Sequence, residues 1–500
     1  MKKFLLSIVT FLIAAISYAQ VSALDSDPKA SESSTVIVGN ARFTILTPKL
    51  LRMEWSEDGK FEDRATLTFI NRKLPVPGFK VSTNGKTVTI KTSDLTLTYV
   101  DEGIPFDASN LKVEFLTARE KSIWTPGLDD SGNLMGTTRT LDKSFGSTLQ
   151  ASDPLEKGLL SRDGWAIVDD SKTYLFDDAG WVTARPENEG YIDWYIFAYG
   201  HEYKEALADY SKVAGPAPLP PRYIFGYWYS RYWQYSDSEL REIVERLRSI
   251  DIPVDVLIID MDWHETWGLD RDPDIDEYGQ RVGWTGYTWQ KELFPAPEQM
   301  FQWANNSGLK TALNLHPASG IQPYEECYGR FCEEYGWKEP GKSVPFHIDD
   351  RKWAETYYKT ILKPIENQGN TFWWIDWQQW KDSKYNPGLS NTFWLNHVFY
   401  NYAKDNYPEV RPFLYHRWGG LGSHRYPLGF SGDTYISWES LEYQPEFTAT
   451  SANVNYGYWG HDLGGHMFKD HKGTEDPERY TRWLQYGVFS PLYKTHATKH

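Results

Sequence analysis

The segment FWWIDWQQW, residues 372–380, places a single carboxylate, Asp376, directly after a run of apolar and aromatic residues. A carboxylate in such surroundings can act as a nucleophile or exchange a proton with a bound substrate. The chain is rich in aromatic residues, with 23 tryptophans and 16 % Phe, Trp and Tyr in all. Flat apolar rings beside carboxylates suit the C–H faces of carbohydrate, but the same rings also fill hydrophobic cores. Both uses stay open on composition alone.

Asp376 is one of several polar residues found at the ends of apolar runs of strand length. Amphipathic stretches separate these runs, and alternating buried strands and helices indicate a (β/α)8 barrel. Catalytic groups in such barrels gather at the carboxyl ends of the strands, although any one of these residues alone could be a capping or solvated residue. The eight runs are 223–230, 254–260, 310–316, 371–376, 411–416, 426–433, 456–462 and 487–496. The polar residues at or just beyond their ends are Asp260, Asp262, His316, Asp376, His416, Arg417, Asp433, Asp462 and His496.

The first 200 residues have a different pattern, with short period-two runs separated by turn residues. This pattern is typical of an antiparallel β-sandwich. The fold predicted for the chain is therefore multidomain, an amino-terminal sandwich followed by a barrel. The predicted divisions are a signal peptide (1–19), a linker (20–33), the sandwich (34–200), a helix and Pro-rich linker (201–221) and the catalytic barrel (222–500). Since the chain ends directly after the eighth run, we expect the barrel to be incomplete at its carboxyl end.

The first twenty residues, MKKFLLSIVTFLIAAISYAQ, combine two lysines, an apolar run and a small-residue end at Ser17 and Ala19. This is typical of a secretory signal cleaved near Ala19, and it predicts an exported protein that does not stay inserted in a membrane. Net charge −16 and a pI of about 5.3 disfavour nucleic acid as a partner. Cys327 and Cys332 leave open one local disulfide or two free thiols. Oligomeric state is not predicted.

Four motifs together resemble glycoside hydrolase family 31: IIDMDWH, WWIDWQQ, FSGDT and WGHDLGGH. Their order and their spacing fit the family, with 16 residues from Arg417 to Asp433 and 29 from Asp433 to Asp462. The segment GLLSRDGWAIVDD, residues 158–170, is similar to a loop that precedes the barrel in these enzymes. The resemblance covers roughly residues 39–500.

This resemblance implies hydrolysis of α-linked glycosides with retention, through a covalent glycosyl-enzyme intermediate. It implies that Asp376 is the nucleophile and Asp433 the acid/base. Retaining enzymes hold the two carboxyl groups about 5–5.5 Å apart. Asp433 must then have a raised pKa, while Asp376 stays ionised with Arg417 as its counterion. The resemblance implies no cofactor and no metal.

Further residues are expected in the sugar-binding pocket. The family pattern implies that Asp260, Arg417 and His496 contact the sugar, and that Asp462 positions Arg417 or His496. Four tryptophans, Trp228, Trp263, Trp377 and Trp438, are either stacking surfaces or barrel filling. The remaining candidates for the pocket are Trp374, Asp262, His316, Phe430 and Asp163.

Departures from the family pattern leave the terminal sugar open. Gln378 and Gln379 follow Asp376 where well-known α-glucosidases have Asn-Glu, and Phe430 stands where a tryptophan is usual. Glucose is the leading choice, with galactose, N-acetylgalactosamine and xylose as alternatives.

Two other classes of protein also remain as hypotheses. A non-catalytic carbohydrate-binding protein would keep the aromatic residues but could dispense with the pair of acids. A metal-dependent hydrolase would need ligands that converge on one ion. Its candidate ligands are Asp260, Asp262, His264 and His316.

Overall fold

Two five-stranded antiparallel sheets form the amino-terminal part of the chain in the computed structural model. The structure describes residues 24–117, 120–150, 152–188, 190–266, 275–376 and 380–498. One sheet has the order β1-β2-β3-β12-β9, the other runs β4 to β8 in sequence, and β10 pairs with β11. The strands are β1 (Thr35–Val38), β2 (Ala41–Ile45), β3 (Leu50–Trp55), β4 (Lys80–Asn84), β5 (Thr87–Lys91), β6 (Leu95–Val100), β7 (Leu111–Leu116), β8 (Lys121–Trp124), β9 (Ala166–Asp169), β10 (Leu175–Phe176), β11 (Val182–Thr183) and β12 (Ile192–Phe197).

These two sheets share one hydrophobic core. Phe43 and Met53 of the first sheet belong to the same buried cluster as Leu97 and Val113 of the second. Burial alternates along β6 and β7, as expected when one face of a strand packs on a core and the other meets solvent. The alternation seen in the sequence therefore corresponds to packed sheets.

Parallel strands and helices make up the rest of the chain. The helices are α1 (Tyr203–Ala214), α2 (Asp237–Ser249), α3 (Pro297–Asn306), α4 (Tyr328–Tyr335), α5 (Arg351–Tyr357), α6 (Lys363–Gln368), α7 (Asn391–Asn406), α8 (Trp438–Ala452) and α9 (Pro477–Gly487). A π-helical segment, Tyr358–Leu362, joins α5 to α6. The strands are β13 (Tyr227–Tyr229), β14 (Val256–Ile259), β15 (Lys310–Leu315), β16 (Phe372–Ile375), β17 (Gly429–Phe430), β18 (Trp459–Gly460) and β19 (Tyr493–Thr495).

The parallel strands close into a barrel. Strands β16, β15, β14 and β13 pair in that order, and β19 pairs with β13. Bridges from Trp374 to Tyr415 and from His416 to Gly429 link β16 to β17. The fifth predicted run, 411–416, is thus reduced to bridges, because its residues pair only at Tyr415 and His416. The first run divides into a 3-10 helix at 222–225 and β13, and the eighth begins inside α9.

Side chains in the barrel strands alternate between its interior and its helices. Ile258, Ala312, Trp374 and Tyr415 belong to an interior cluster, whereas their neighbours in sequence pack against the surrounding helices. Because a strand has a period of two, each polar residue two positions beyond an interior residue also points into the barrel mouth. Asp376 is therefore the next inward position after Phe372 and Trp374.

Two further features of the described chain concern the cysteines and the membrane. Cys327 and Cys332 are free thiols at the start of α4 and within it, so the disulfide alternative is wrong. Among the described residues, no helix combines the length and the apolar character needed to cross a lipid bilayer.

Candidate active site

Asp376 lies at the mouth of the barrel, directly after β16, within a set of hydrogen-bond donors. Its Oδ1 accepts from Nη2 of Arg417 at 2.9 Å and from Nε at 3.3 Å. Its Oδ2 accepts from Nδ2 of Asn314 at 3.0 Å and lies 3.5 Å from Nε2 of His316. The structure thus brings His316 and Arg417 together on one carboxylate, as the strand ends predict.

Asp433 follows β17 and shares the same arginine nitrogen. Nη2 of Arg417 lies 2.9 Å from Oδ1 of Asp376 and 3.4 Å from Oδ1 of Asp433. These two carboxylate oxygens can therefore be no farther apart than the sum of the two distances, about 6.3 Å. A single substrate carbon can face both acids.

The surroundings of the two acids separate their pKa values. Burial alone would raise the pKa of Asp376, but the charge of Arg417 and the contact with His316 bring it well below its usual value. Burial raises the pKa of Asp433 to about 7, against the opposing charges of His466 and Arg417. At neutral pH one acid is ionised, while the other keeps a substantial protonated fraction.

Asp260 and His496 form a second part of the site, at the ends of β14 and β19. Oδ2 of Asp260 lies 3.7 Å from Nε2 of His496, whose Nδ1 is hydrogen-bonded to the hydroxyl of Ser230 at 2.7 Å. Burial lowers the pKa of His496 well below its usual value, so the ring is neutral. Burial and the nearby carboxylates of Asp376 and Asp262 raise the pKa of Asp260, despite its bond from the Met261 backbone. These groups can exchange hydrogen bonds with sugar hydroxyls.

Asp462 contacts two basic residues that were not predicted from the sequence. Its Oδ1 lies 2.6 Å from Nζ of Lys494, a fully buried lysine, and its Oδ2 lies 3.4 Å from Nδ1 of His466. Of the two partners that the family pattern implies for Asp462, His496 lies close to it, whereas Arg417 contacts Asp142, Asp376 and Asp433. The two basic residues, His466 and Lys494, could both have been predicted from their positions in the sequence. His466 is the last residue of the WGHDLGGH motif, and Lys494 lies two positions before His496.

His466 connects this buried pair to the acid candidate. Its Nε2 lies 3.8 Å from Oδ2 of Asp433, opposite its contact with Asp462. Burial would lower its pKa, but Asp433 and Asp462 raise the pKa to about 9. The imidazolium form is therefore the stable form at neutral pH.

Residues from a loop of the amino-terminal sheet region reach the same site. The hydroxyl of Thr140 and the carboxylate of Asp142 accept hydrogen bonds from Nη1 of Arg417, at 2.6 and 2.7 Å. No periodicity marks these positions in the sequence. Asp163, the predicted pocket residue of this region, is exposed and accepts a hydrogen bond from the backbone of Gly132, and its place in the pocket stays a prediction.

The aromatic candidates mainly fill the barrel. Trp228 is fully buried and donates from Nε1 to Ile224, and Trp263 is fully buried and donates to Asn314, so neither is a stacking surface. Trp438 is 44 % exposed at the start of α8.

The other aromatic candidates lie beneath the acids. Phe430 lies under the guanidinium of Arg417, 4.4 Å from its carbon, and so supports the arginine without forming a pocket wall. Trp374 is buried under the ammonium of Lys494, at 4.2 Å, and not in a pocket. Trp377 lies outside the described residues.

The ligand set proposed for a metal-dependent hydrolase does not assemble. Nδ1 of His264 is bonded to the carbonyl of Glu265, and Asp262 accepts from Thr266. In the described part of the chain, one group of three candidate ligands has its atoms within 4.8 Å of one another, Asp462, His466 and His496. There the ammonium of Lys494 already neutralises the carboxylate, and protonated His466 offers no lone pair. These residues do not fit a metal centre.

Comparison with known proteins relates the chain to one family. Residues 217–500 match the TIM-barrel domain of glycosyl hydrolases family 31. An α-glucosidase 2 of Bacillus thermoamyloliquefaciens is 27 % identical over 339 residues, 62 % of this chain and 40 % of that protein. An α-xylosidase of Saccharolobus solfataricus is 24 % identical over 426 residues, 78 % of this chain and 54 % of its own length. The chain thus spans about half the length of these relatives.

Solved structures share the fold. A family 31 dextranase of Flavobacterium johnsoniae in complex with glucose superimposes with a TM-score of 0.68 at 18 % identity, covering 92 % of this chain and 63 % of that one. An α-xylosidase from a soil metagenome in complex with xylose gives 0.65 at 16 % identity, covering 93 % and 76 %. Similarity at this level establishes the architecture of an amino-terminal β-sheet region followed by the barrel.

Proposed function

The chain belongs to glycoside hydrolase family 31, and on that premise we propose that it hydrolyses α-linked glycosides with retention of configuration. The observation that carries the proposal is the pair of acids on one arginine nitrogen. The ceiling of about 6.3 Å on the separation of these two oxygens is compatible with the 5–5.5 Å between the carboxyl groups of retaining enzymes.

In the first step Asp376 is the nucleophile and Asp433 the acid. The Asp376 carboxylate forms a bond to the anomeric carbon as the bond from that carbon to the leaving oxygen breaks. Asp433 gives its proton to the leaving oxygen, so the released alcohol is neutral. The lowered pKa of Asp376 and the pKa of about 7 of Asp433 suit these roles.

In the second step Asp433 acts as the base. Its carboxylate takes a proton from water while the water oxygen attacks the anomeric carbon and releases Asp376. Two inversions at one carbon give net retention. Arg417, which contacts both acids, stabilises the carboxylate that is ionised at each stage.

We propose that Asp260, His496, Arg417 and His316 hold the hydroxyl groups of the sugar. All four are buried, and each lies within 4 Å of another polar group of the site. Buried donors and acceptors of this kind reject a sugar that lacks the matching hydroxyl.

Glucose remains the proposed terminal sugar, with xylose as the nearest alternative. The names of similar proteins include both α-glucosidases and α-xylosidases, at identities that do not separate the two. Galactose and N-acetylgalactosamine stay open because Phe430 and the residues after Asp376 depart from the α-glucosidase pattern.

The test is a panel of nitrophenyl α-glycosides of glucose, xylose, galactose and N-acetylgalactosamine. Wild-type protein is compared with Asp376→Ala and Asp433→Ala, and NMR identifies the first anomer released. We expect Asp376→Ala to lose more than about a thousandfold in kcat/KM, Asp433→Ala to lose less because nitrophenolate leaves with little help from an acid, and the first product to be the α-anomer. Wild-type turnover in both variants would refute the assignment. Sugar binding without any turnover by wild-type protein would favour the non-catalytic alternative.

We also propose that the protein is exported with cleavage near Ala19. The support is the charged start and apolar run of the first twenty residues, which lie outside the described part of the structure. Amino-terminal sequencing of the protein recovered outside the cytoplasm would begin at Gln20. An uncleaved protein found only in the cytoplasm would contradict export.

A further inference from the structure

A loop from the amino-terminal sheet region lies along the end of β17, where Asp433 is found. The backbone nitrogens of Leu141 and Lys143 donate to the carbonyl oxygens of Ser431 and Asp433, at 2.7 and 2.9 Å. Pairing of this kind is what a neighbouring strand would provide. The segment that carries the acid candidate is therefore held from outside the barrel.

Asp142 is the central residue of this contact. Its Oδ1 accepts three hydrogen bonds, from Nη1 of Arg417 at 2.7 Å, from the backbone nitrogen of Asp433 at 2.7 Å, and from the hydroxyl of Thr140 at 2.6 Å. The side chain of Arg417 is only 2 % exposed, and that of Asp142 is 16 % exposed. Charge-assisted bonds with so little solvent fix geometry more strongly than surface ion pairs do.

Gly432 shows how closely the two segments approach. Its φ of +97° lies in the region that favours glycine. A β-carbon there would collide with the guanidinium of Arg417, the hydroxyl of Thr140 and the carboxylate of Asp142. The backbone at Gly432, next to Asp433, therefore packs directly against the contact between Arg417 and the loop.

The guanidinium of Arg417 divides its donors between the loop and the acids. Nη1 binds Thr140 and Asp142, whereas Nη2 faces Asp376 at 2.9 Å and Asp433 at 3.4 Å. Because the guanidinium is planar and rigid, fixing Nη1 also fixes the direction of Nη2. The contact with the loop therefore fixes the position of Nη2, the donor that faces both Asp376 and Asp433.

Asp142 also contributes charge to the surroundings of Asp433. Burial is the largest influence on Asp433 and raises its pKa, as do the anions Asp142 and Asp376. The cations His466 and Arg417 lower it. Removal of the charge of Asp142 should therefore lower the pKa of Asp433.

We propose that Asp142 is a positioning residue for the reaction, which fixes the guanidinium of Arg417 and the main chain of Asp433 through one carboxylate oxygen. The proposal rests on the proposed function, because it assigns Asp142 to the placement of the general acid. It gives the amino-terminal region a direct part in catalysis, since a residue outside the barrel determines whether the proton donor meets the leaving oxygen.

The test compares two substrates of the sugar that wild-type protein prefers, a methyl α-glycoside and an α-glycosyl fluoride. An alkoxide leaving group needs protonation, whereas fluoride leaves with little help from an acid. Asp142→Asn removes the charge, Asp142→Ala removes the carboxylate, and Thr140→Val removes one of its donors. The matched control is Asp153→Asn, which removes a carboxylate that binds Arg139 near the same loop at 2.8 Å.

We expect Asp142→Ala to lose about 10- to 100-fold in kcat/KM on the methyl glycoside and less than about threefold on the fluoride. Thr140→Val should show a smaller loss with the same preference, which covers the case that Asp142→Ala folds poorly. In Asp142→Asn, the basic limb of the kcat/KM profile should move to lower pH, because Asp433 then loses its proton sooner. Asp153→Asn should keep the wild-type limb and the wild-type ratio between substrates.

Equal losses on both substrates, with an unmoved basic limb, would overturn the positioning role while leaving the proposed function intact. A wild-type protein that hydrolyses neither substrate would overturn the proposed function, and the role of Asp142 with it. Circular dichroism of each variant confirms that the folded proteins are compared.

Discussion

At the scale of single residues, Asp433 is the proposed acid/base, and two of its charged neighbours act on its pKa in opposite directions. The anion Asp142 raises its pKa and the cation His466 lowers it. The balance leaves the pKa of Asp433 at about 7, which suits the proposed acid/base role. Substitutions at these two neighbours should therefore move the pH profile in opposite directions.

Replacing His466 by Gln should shift the basic limb of kcat/KM to higher pH. The imidazolium near Asp433 favours the ionised carboxylate, so its loss raises the pKa of Asp433 and the acid keeps its proton to higher pH. A pH profile of kcat/KM on the methyl α-glycoside of the preferred sugar measures this shift. The control is His461→Gln, since burial lowers the pKa of His461 to about 3 and its ring is already neutral. A basic limb that stays at the same pH or moves to lower pH in His466→Gln would contradict the prediction.

At the scale of the elements, the alternation of strand residues explains most of what could be predicted from sequence. Residues that point into the barrel are followed two positions later by residues of the candidate site. Asp376 follows Trp374 in this way, and Arg417 follows Tyr415. The same rule leads from Leu492 through Lys494 to His496, so the buried lysine was open to prediction from its spacing.

The rest of the site could not be read from local patterns. Thr140 and Asp142 come from a loop without periodicity, and Asp142 meets Arg417 across 275 positions of sequence. Contacts of this kind depend on how the amino-terminal sheets lie against the barrel, which no strand or helix pattern records. The fifth barrel strand was also predicted as a full run, but it forms β-bridges at only two of its residues.

Replacing Trp228 by Ala should destabilise the protein without weakening sugar binding. Trp228 is fully buried between Phe372 and Tyr415, so its truncation leaves a cavity that costs about 3–5 kcal/mol. Trp438→Ala, at a position 44 % exposed, should stay within about 0.5 kcal/mol. Urea unfolding and KM measure the two effects. A large rise in KM with unchanged stability would mean that Trp228 is a sugar-stacking surface after all.

At the scale of the whole molecule, a buried arginine joins the amino-terminal region to the barrel. Arg425 donates to the carbonyls of Leu67 and Ala214, both at 2.6 Å, and to that of Thr68 at 3.3 Å. Its neighbour His424 is bonded to the carbonyl of Gly215 at 2.7 Å. Carbonyl groups of a loop at 67–68, of α1 and of the linker after it thus accept hydrogen bonds from the barrel.

Arg425→Met should therefore lower the free energy of unfolding by about 2–4 kcal/mol, because buried carbonyl groups lose their donors. Arg246→Met on the exposed side of α2 is the control and should change little. The midpoint of urea unfolding, followed by tryptophan fluorescence, reports both. Equal midpoints of urea unfolding for Arg425→Met and wild-type protein would show that the hydrogen bonds of Arg425 do not stabilise the protein.

The bond between Asp142 and Arg417 has a consequence for how the protein comes into being. During synthesis Asp142 leaves the ribosome long before Arg417, which follows 275 positions later. The contact between the amino-terminal loop and the barrel therefore forms only after the chain has been synthesised as far as Arg417. The proposed acid, Asp433, follows 16 positions later, so we expect no glycosidase activity from a nascent polypeptide that has not yet reached it.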